Sequence, residues 1–323
     1  MIVPHRKPCL EGRLNVEGNI EELKHAINDL MYSKKNISIL PSGNAGIYVA
    51  SNILYNIIDT SSSNCNVLVP DMGGWKGFMT YPKMFNFNIV ELRTNYGIVD
   101  INTLDEEIKK NNIHALFLTS LAGYLAHQPL KEIKKICEEN EVIFVEDISG
   151  GIGGDCGYGD MVVCSTGSPK IINCEYGGFI GISDKISEQL IEKNKINDLK
   201  NLLKTYKVPN IYGLMKEETI KAKKTYKKCV RFSNILKNEF ENAYFKDNEG
   251  VCVFLEYNNP KEISKNINSV IKLDNGKSVI TKCPIYERIL KSGIVVEIKK
   301  MDVLNISEED FYEVVSKLKE LTL

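Results

Sequence analysis

Short apolar runs and helical stretches take turns along the first half of this chain, and that alternation restricts its fold more than any other feature. "ISIL" runs up to Pro41, and a helix begins near Asn44. "NVLV" precedes a helix near Trp75, and "NIVEL" is followed by the capped segment "DINTLDEEIKK". "ALFLTS" leads into "PLKEIKKICEEN", and "VIFVED" comes next. Strand–helix repetition of this kind predicts an α/β layer with a mostly parallel sheet. The strands are near-continuous runs of Val, Ile, Leu and Phe, as required when helices cover both faces.

The rhythm changes from "DMVVCS" to "GGFIGIS", where strands follow without a long intervening helix, as at an antiparallel edge or a turn back into the sheet. Two long helical patterns cover roughly 185–204 and 214–242. The remainder, from "GVCVFLEY" through "GIVVEIKK" to "SEEDFYEVVSKLKEL", reads as a small α+β unit. The expected division is a large domain over residues 1–200, N-terminal extension included, and a small C-terminal domain over 201–323. No fixed-period repeat is present, and the one low-complexity tract is the brief "TSSSN".

At 323 residues the chain is long enough for a substantial core. With 41 basic against 42 acidic residues, the balance gives no reason to expect nucleic acid or an anionic membrane as partner. The lysine-rich "KAKKTYKKCVR" reads as the solvated face of a helix. Nine cysteines, an odd number without a CxxC pair, suit a reduced chain rather than a disulfide scaffold. Four histidines with no Cys/His cluster give no zinc-site spacing, so no metal is expected. "MIVPHRKPCLEGR" lacks the apolar core of a signal peptide, and no stretch approaches a membrane span. A cytoplasmic location is the expectation.

Four features put polar chemistry where a core should be. Asp147 ends the apolar strand "VIFVED", and ligands of open α/β sheets bind beyond the carboxyl ends of strands. A carboxylate there can hold a cation, a sugar hydroxyl or a protonated ring nitrogen, or simply cap the following Ser-Gly-Gly. "PSGNAGIYVASNIL" turns from strand to helix through small residues, a suitable phosphate cradle, although ordinary βα turns look alike. It is neither a P-loop nor GxGxxG. Trp75, the only tryptophan, follows a strand in "VPDMGGWKGF", where it can stack on a planar ligand or pack a core. Lys170, in "STGSPKIINCEYGG", lies between two core strands. Desolvation there should lower its pKa, as a carbonyl-attacking amine requires. Ser165 and Ser168 offer hydroxyls to a phosphate ester beside it.

A phosphate turn, an aromatic ring, a carboxylate, a serine and a lysine are together what pyridoxal 5'-phosphate needs from a protein. Their order in the chain resembles the large domain of fold type I enzymes of that cofactor, and most closely the DegT/DnrJ-type aminotransferases. Ser165 precedes Lys170 by five residues, and Gly177 and Gly178 begin seven residues after it, as in that family. Gly159 and Asp160 match its "GD", Glu146 and Asp147 its "ED", and Ser42, Gly43, Asn44 and Ala45 its phosphate turn. The similarity spans about residues 36 to 182.

The resemblance implies a mostly parallel, seven-stranded-type sheet flanked by helices, plus the small C-terminal α+β domain. It implies Lys170 and Asp147 as catalytic residues, with Gly43, Asn44, Ala45, Trp75 and Ser165 joining them in cofactor binding. It also implies an aminotransferase working between an amino acid and a keto substrate, with a nucleotide-linked keto-sugar as one candidate, in a homodimer whose sites are shared. Asn210 or Tyr212 is the expected contribution across that interface. The chain departs from the family at Gly150, where glutamine is usual, at Asn44, and in the position of Trp75, which falls one residue late. "PNIYGLM" lacks the arginine of a later family signature. Two further readings stand beside transamination: a lyase or cysteine desulfurase using Cys156 or Cys174, and a fold type I scaffold without catalysis.

Overall fold

A computed structural model describes residues 1–9, 18–58, 65–208 and 210–322. The "TSSSN" tract and Pro209 of "PNIYGLM" lie outside them. Strand β1 (Ile2–Val3) and helix α1 (Ile20–Asn28) come first, followed by β2 (Asn36–Leu40) and α2 (Gly43–Ile57). Next come β3 (Asn66–Pro70), the short α3 (Gly77–Thr80) and β4 (Asn88–Leu92). Then α4 (Ile101–Asn111) leads to β5 (Ile113–Thr119), the hairpin β6 (Leu121–Ala122) and β7 (Ala126–His127), and α5 (Leu130–Glu139). Strands β8 (Ile143–Asp147), β9 (Met161–Ser165) and β10 (Gly178–Ile182) complete the first half. The expected 185–204 helix is two, α6 (Asp184–Glu192) and α7 (Ile196–Thr205), broken where Asn194 takes a left-handed φ of 57°. Helix α8 (Tyr212–Glu239) leads to β11 (Val253–Glu256), α9 (Pro260–Val270), β12 (Lys272–Leu273), β13 (Ile280–Ile285), β14 (Ile289–Val296) and α10 (Glu308–Thr322).

Seven strands form the main sheet in the order β2-β10-β9-β8-β5-β3-β4. Six run parallel, and β10 alone is antiparallel to both neighbours. The missing helix between β9 and β10 has this cause: an antiparallel neighbour needs a turn, not a crossover. Buried side chains cover both faces of the sheet, with Val67, Phe117, Val145 and Val163 on one side and Leu68, Leu116, Leu118 and Phe144 on the other. A second sheet, β11-β14-β13, forms the C-terminal layer. The first residues pair with that layer rather than with the large sheet: β1 runs parallel to β12, and His5 bridges Met301.

The layers meet at the carboxyl ends of the parallel strands. The β13–β14 hairpin reaches across, with Tyr286 Oη donating to Pro70 O at 2.9 Å and the Gly73 amide donating to Tyr286 O at 2.7 Å. Gly123 (φ 55°) admits this approach, because a Cβ there would lie 2.3 Å from Arg288 O. Among the described residues, no helix is long and apolar enough to cross a membrane.

Candidate active site

A cavity of about 350 Å³ opens where the layers meet. Ser42, Gly43, Asn44, Trp75, Asp147, Ser165 and Lys170 all line it, although they follow four separate strands, β2, β3, β8 and β9. Ala45, expected beside them, does not. Its amide instead donates to Ser42 Oγ at 3.1 Å, closing the N-cap of α2. The amides of Gly43 and Asn44 thus begin the helix at the cavity wall, where the helix dipole favours an anion.

Successive side chains of a strand point to opposite faces, so the Glu146–Asp147 pair divides into two roles. Glu146 is wholly buried and accepts from the amides of Gly157 (3.1 Å), Tyr158 (2.7 Å) and Gly159 (2.9 Å), and from Ser120 Oγ (2.8 Å). It organises the loop that enters β9. Asp160, the other half of the "GD", accepts from the Phe144 amide at 2.9 Å and ties β9 to β8. Asp147 faces the cavity and accepts from the Ser149 amide at 2.9 Å. Burial pushes its carboxyl above the ordinary range, only partly offset by the charge of Lys170 and the Ser149 hydrogen bonds.

Lys170 Nζ donates to the Tyr124 hydroxyl, a contact not foreseen from the sequence. The expected fall in the lysine pKa does not occur. Burial does pull it down, but the Tyr124 hydroxyl and the Asp147 carboxylate outweigh that pull and hold it above its usual value. Desolvation argued from two flanking strands omitted the partners that β8 and the β6–β7 hairpin deliver.

The Gly-Gly after Lys170 has a steric origin. A Cβ on Gly178 would lie 2.5 Å from Cys164 O and 2.8 Å from the Gly43 amide nitrogen. Only a bare backbone lets β10 run between β9 and the phosphate turn. A Cβ on Gly43 would likewise strike Ser165 Cβ at 2.7 Å. Trp75 is 39% exposed, and its Nε1 donates to Asn44 Oδ1 at 2.7 Å. The Asn44 side chain therefore fixes the ring, while its backbone belongs to the cradle.

The opposite wall comes from the C-terminal layer: Thr281, Glu287, Arg288, Glu297, Lys299 and Lys300. Glu297 has no exposed surface and accepts from Arg288 Nη2 (3.0 Å), Thr281 Oγ1 (2.6 Å) and Lys299 Nζ. Burial alone would raise its carboxyl, but Lys299 and Arg288 hold it well below the ordinary range. None of these residues was singled out from the sequence. For Glu297, Lys299 and Lys300 the one trace was the charged end of "GIVVEIKK" after an apolar strand, the same kind of signal that marked Asp147; Thr281, Glu287 and Arg288 had none.

Asn210 is exposed and Tyr212 opens α8; neither lines the cavity. Cys156 and Cys174 are buried, and burial pushes both thiols up, so neither resembles an activated nucleophile.

Residues 223–319, from within α8 to α10, match the MJ1341 family C-terminal domain. The probable glycine dehydrogenase (decarboxylating) subunit 1 of Aquifex aeolicus (strain VF5) is 32% identical over 104 residues, or 31% of this chain. The match spans about a quarter, 24%, of that relative's length. Similar solved structures cover nearly the whole chain. The ureidoglycine–glyoxylate aminotransferase of Bacillus subtilis superposes with a TM-score of 0.73 at 13% identity, over 99% of this chain and 92% of that one. The alanine–glyoxylate aminotransferase of Nostoc sp. gives 0.74 at 11% identity, over 100% and 97%. A NifS-like protein from Rickettsia africae gives 0.69 at 12% identity, over 100% and 99%. At such identities the likeness establishes the fold, which is the α/β architecture of fold type I transferases.

Proposed function

We propose that this chain is a pyridoxal phosphate-dependent aminotransferase that exchanges an amino group between an amino acid and a keto substrate. The observation that carries the reading is the meeting of Asp147 and Lys170 in one cavity with the α2 N-terminus and Trp75. Their fit to the cofactor rests on the state of Asp147. It faces the cavity with the Ser149 amide as its hydrogen-bond donor and the charge of Lys170 beside it, and a protonated pyridine nitrogen would supply a direct cationic partner. When bound, pyridoxal phosphate supplies an aldehyde for amines and a ring that withdraws electrons from the bond being broken.

The protein's residues then divide the work. Gly43, Asn44 and Ser165 would hold the phosphate, Trp75 would cover the ring, and Asp147 would keep the ring nitrogen protonated. Lys170 would hold the aldehyde, and its amine is the group placed to carry a proton to and from a substrate α-carbon. Arg288, Lys299 and Lys300 outnumber Glu287 and Glu297 on the far wall, giving a field that draws in a substrate carboxylate. The DegT/DnrJ-like spacing from Ser165 to Gly178 makes nucleotide-linked keto-sugars the first acceptors to assay. Retention of lysine at 170 favours transamination over the dehydration of related sugar enzymes. We take the working unit to be a homodimer with shared sites, acting on small molecules in the cytoplasm.

The test is an absorbance scan after adding pyridoxal phosphate, then borohydride reduction and peptide mapping. A reduced adduct on Lys170, absent from Lys170→Ala, is the expected result. Without any new absorbance band the reading fails. An intact adduct with no amino transfer across a panel of donors and acceptors, keto-sugars included, removes the aminotransferase assignment.

A further inference from the structure

The feature of the cavity that the cofactor reading does not use is Tyr124. Its hydroxyl is the partner of Lys170 Nζ. Two further cations lie against its ring, Lys299 Nζ at 4.3 Å and the Arg288 guanidinium at 4.7 Å from the centroid, while Lys170 Nζ, 4.8 Å from it, sits at the hydroxyl edge. Glu297 neutralises Arg288 and Lys299, and the electron-rich face of the tyrosine adds to that where the cations converge.

The backbone is built to hold the ring there. Tyr124 adopts φ 69°, a left-handed conformation that costs a bulky residue energy, at the tip of the β6–β7 hairpin. The carbonyl of Tyr124 is held by the amides of Val251 (3.0 Å) and Cys252 (3.1 Å), where the chain enters the C-terminal sheet. The ring also needs the empty space at residue 150. A Cβ on Gly150 would lie 2.7 Å from Tyr124 Cδ1. Gly150, a departure from the resemblance in the sequence, has a definite spatial counterpart: the room is taken by the tyrosine.

We infer that Tyr124 is a further catalytic residue, whose hydroxyl orients the Lys170 amine and receives a hydrogen bond from its protonated form, thereby setting the pH at which that amine becomes free to react. The inference rests on the proposed function only in making Lys170 Nζ the reacting atom. The groups that act on that amine are Asp147 from β8, Tyr124 from the β6–β7 hairpin and Arg288 from the β13–β14 hairpin. Lys299, Glu287 and Glu297 line the same cavity. Asp147 and Tyr124 favour the ammonium, whereas burial and Arg288 oppose it. Removing the hydroxyl therefore moves the balance toward the free amine.

The experiment uses the cofactor-free full-length protein. Lys170 is labelled with a small amine-reactive reagent across a pH series and quantified by peptide mapping. Tyr124→Phe, which keeps the ring, should shift the labelling midpoint to lower pH, so that below the parent's midpoint it labels several-fold faster. Gly150→Ala, which displaces the ring without removing the hydroxyl, should shift it in the same direction by less. Midpoints of both variants that coincide with the parent's overturn the inference. Should the shift appear in a protein that forms no reducible adduct with pyridoxal phosphate, the Tyr124–Lys170 coupling is upheld and the proposed function falls.

Discussion

The two walls of the cavity solve the problem of buried charge in opposite ways. On the C-terminal wall, Glu297 is surrounded by its own protein partners, Arg288, Lys299 and Thr281. Its carboxyl is held well below the ordinary range. On the sheet wall, Asp147 has the Ser149 amide and the charge of Lys170, and its carboxyl is displaced upward. A group satisfied within the chain stabilises the chain. A group left short of partners on an otherwise well-packed wall is ready for a ligand, at a cost to the cofactor-free protein. Glu146 separates hydrogen bonding from charge pairing: one residue from Asp147, it is fully buried and receives four hydrogen bonds from the protein, yet without a cationic partner burial still pushes its carboxyl up.

The largest test of this difference is Glu297→Gln. It leaves Arg288 and Lys299 buried without their anion, and breaking such a pair from one side costs about 3–5 kcal/mol. A much lower denaturation midpoint in a urea titration is the expected outcome; a change within error would mean that the wall is not self-contained. The pH dependence has a definite sign. Because the folded pKa of Glu297 is depressed, its contribution is complete above the ordinary carboxylate range and is lost as pH falls through the folded value. The parent should therefore lose stability more steeply in acid than the variant does.

Asp147→Asn should behave in the opposite sense. Its folded pKa is raised, so the cofactor-free protein loses stability as pH rises from the unfolded value through the folded one. Removing the charge should leave the cofactor-free protein at least as stable as the parent near pH 7. Cofactor affinity should fall by roughly 10- to 150-fold, the equivalent of ~1.5–3 kcal/mol for a hydrogen bond to a charged group. Thermal unfolding with and without pyridoxal phosphate measures both halves. A destabilised cofactor-free variant would show that Asp147 is a structural residue like Glu146.

The same contrast explains what could be read from the sequence. Strand-terminal Asp147, Ser42 and Lys170 sit within short local patterns whose geometry follows from βα and ββ connections, so their convergence at one sheet edge was legible. Tyr124, Arg288 and Lys299 reach the site through tertiary contacts: a left-handed residue in a two-strand hairpin, and a second hairpin docked on Gly73 and Gly123. Nothing local in "LAGYLAH" or "PIYERIL" announces that meeting. The pKa direction of Lys170 fails for the same reason, because its burial can be inferred from the apolar strands that flank it while its hydrogen-bond partner lies 46 residues away. Ala45 was included because it belongs to the local motif, yet a helix turns its residues around the axis, and Ala45 is used for the cap.

The smallest expected effect tests whether the sheet wall is as finely arranged as its open carboxylate suggests. Trp75 is half-exposed, so little stability depends on it, and its ring is oriented by one hydrogen bond to Asn44 Oδ1. Trp75→Phe keeps an aromatic face but removes that bond, and Asn44→Ala removes it from the other side. Each should weaken cofactor binding by roughly 2- to 10-fold, the range of a single hydrogen bond worth about 0.5–1.5 kcal/mol. Because both changes delete the same contact, the double variant should be little worse than either alone, giving a clear coupling in the cycle. Fully additive losses would mean that Asn44 and Trp75 act on the ligand independently, with the asparagine serving through its own contacts in the cradle. Losses far above tenfold in Trp75→Phe would shift the weight of binding from the buried pair of Asp147 and Lys170 to the exposed rim.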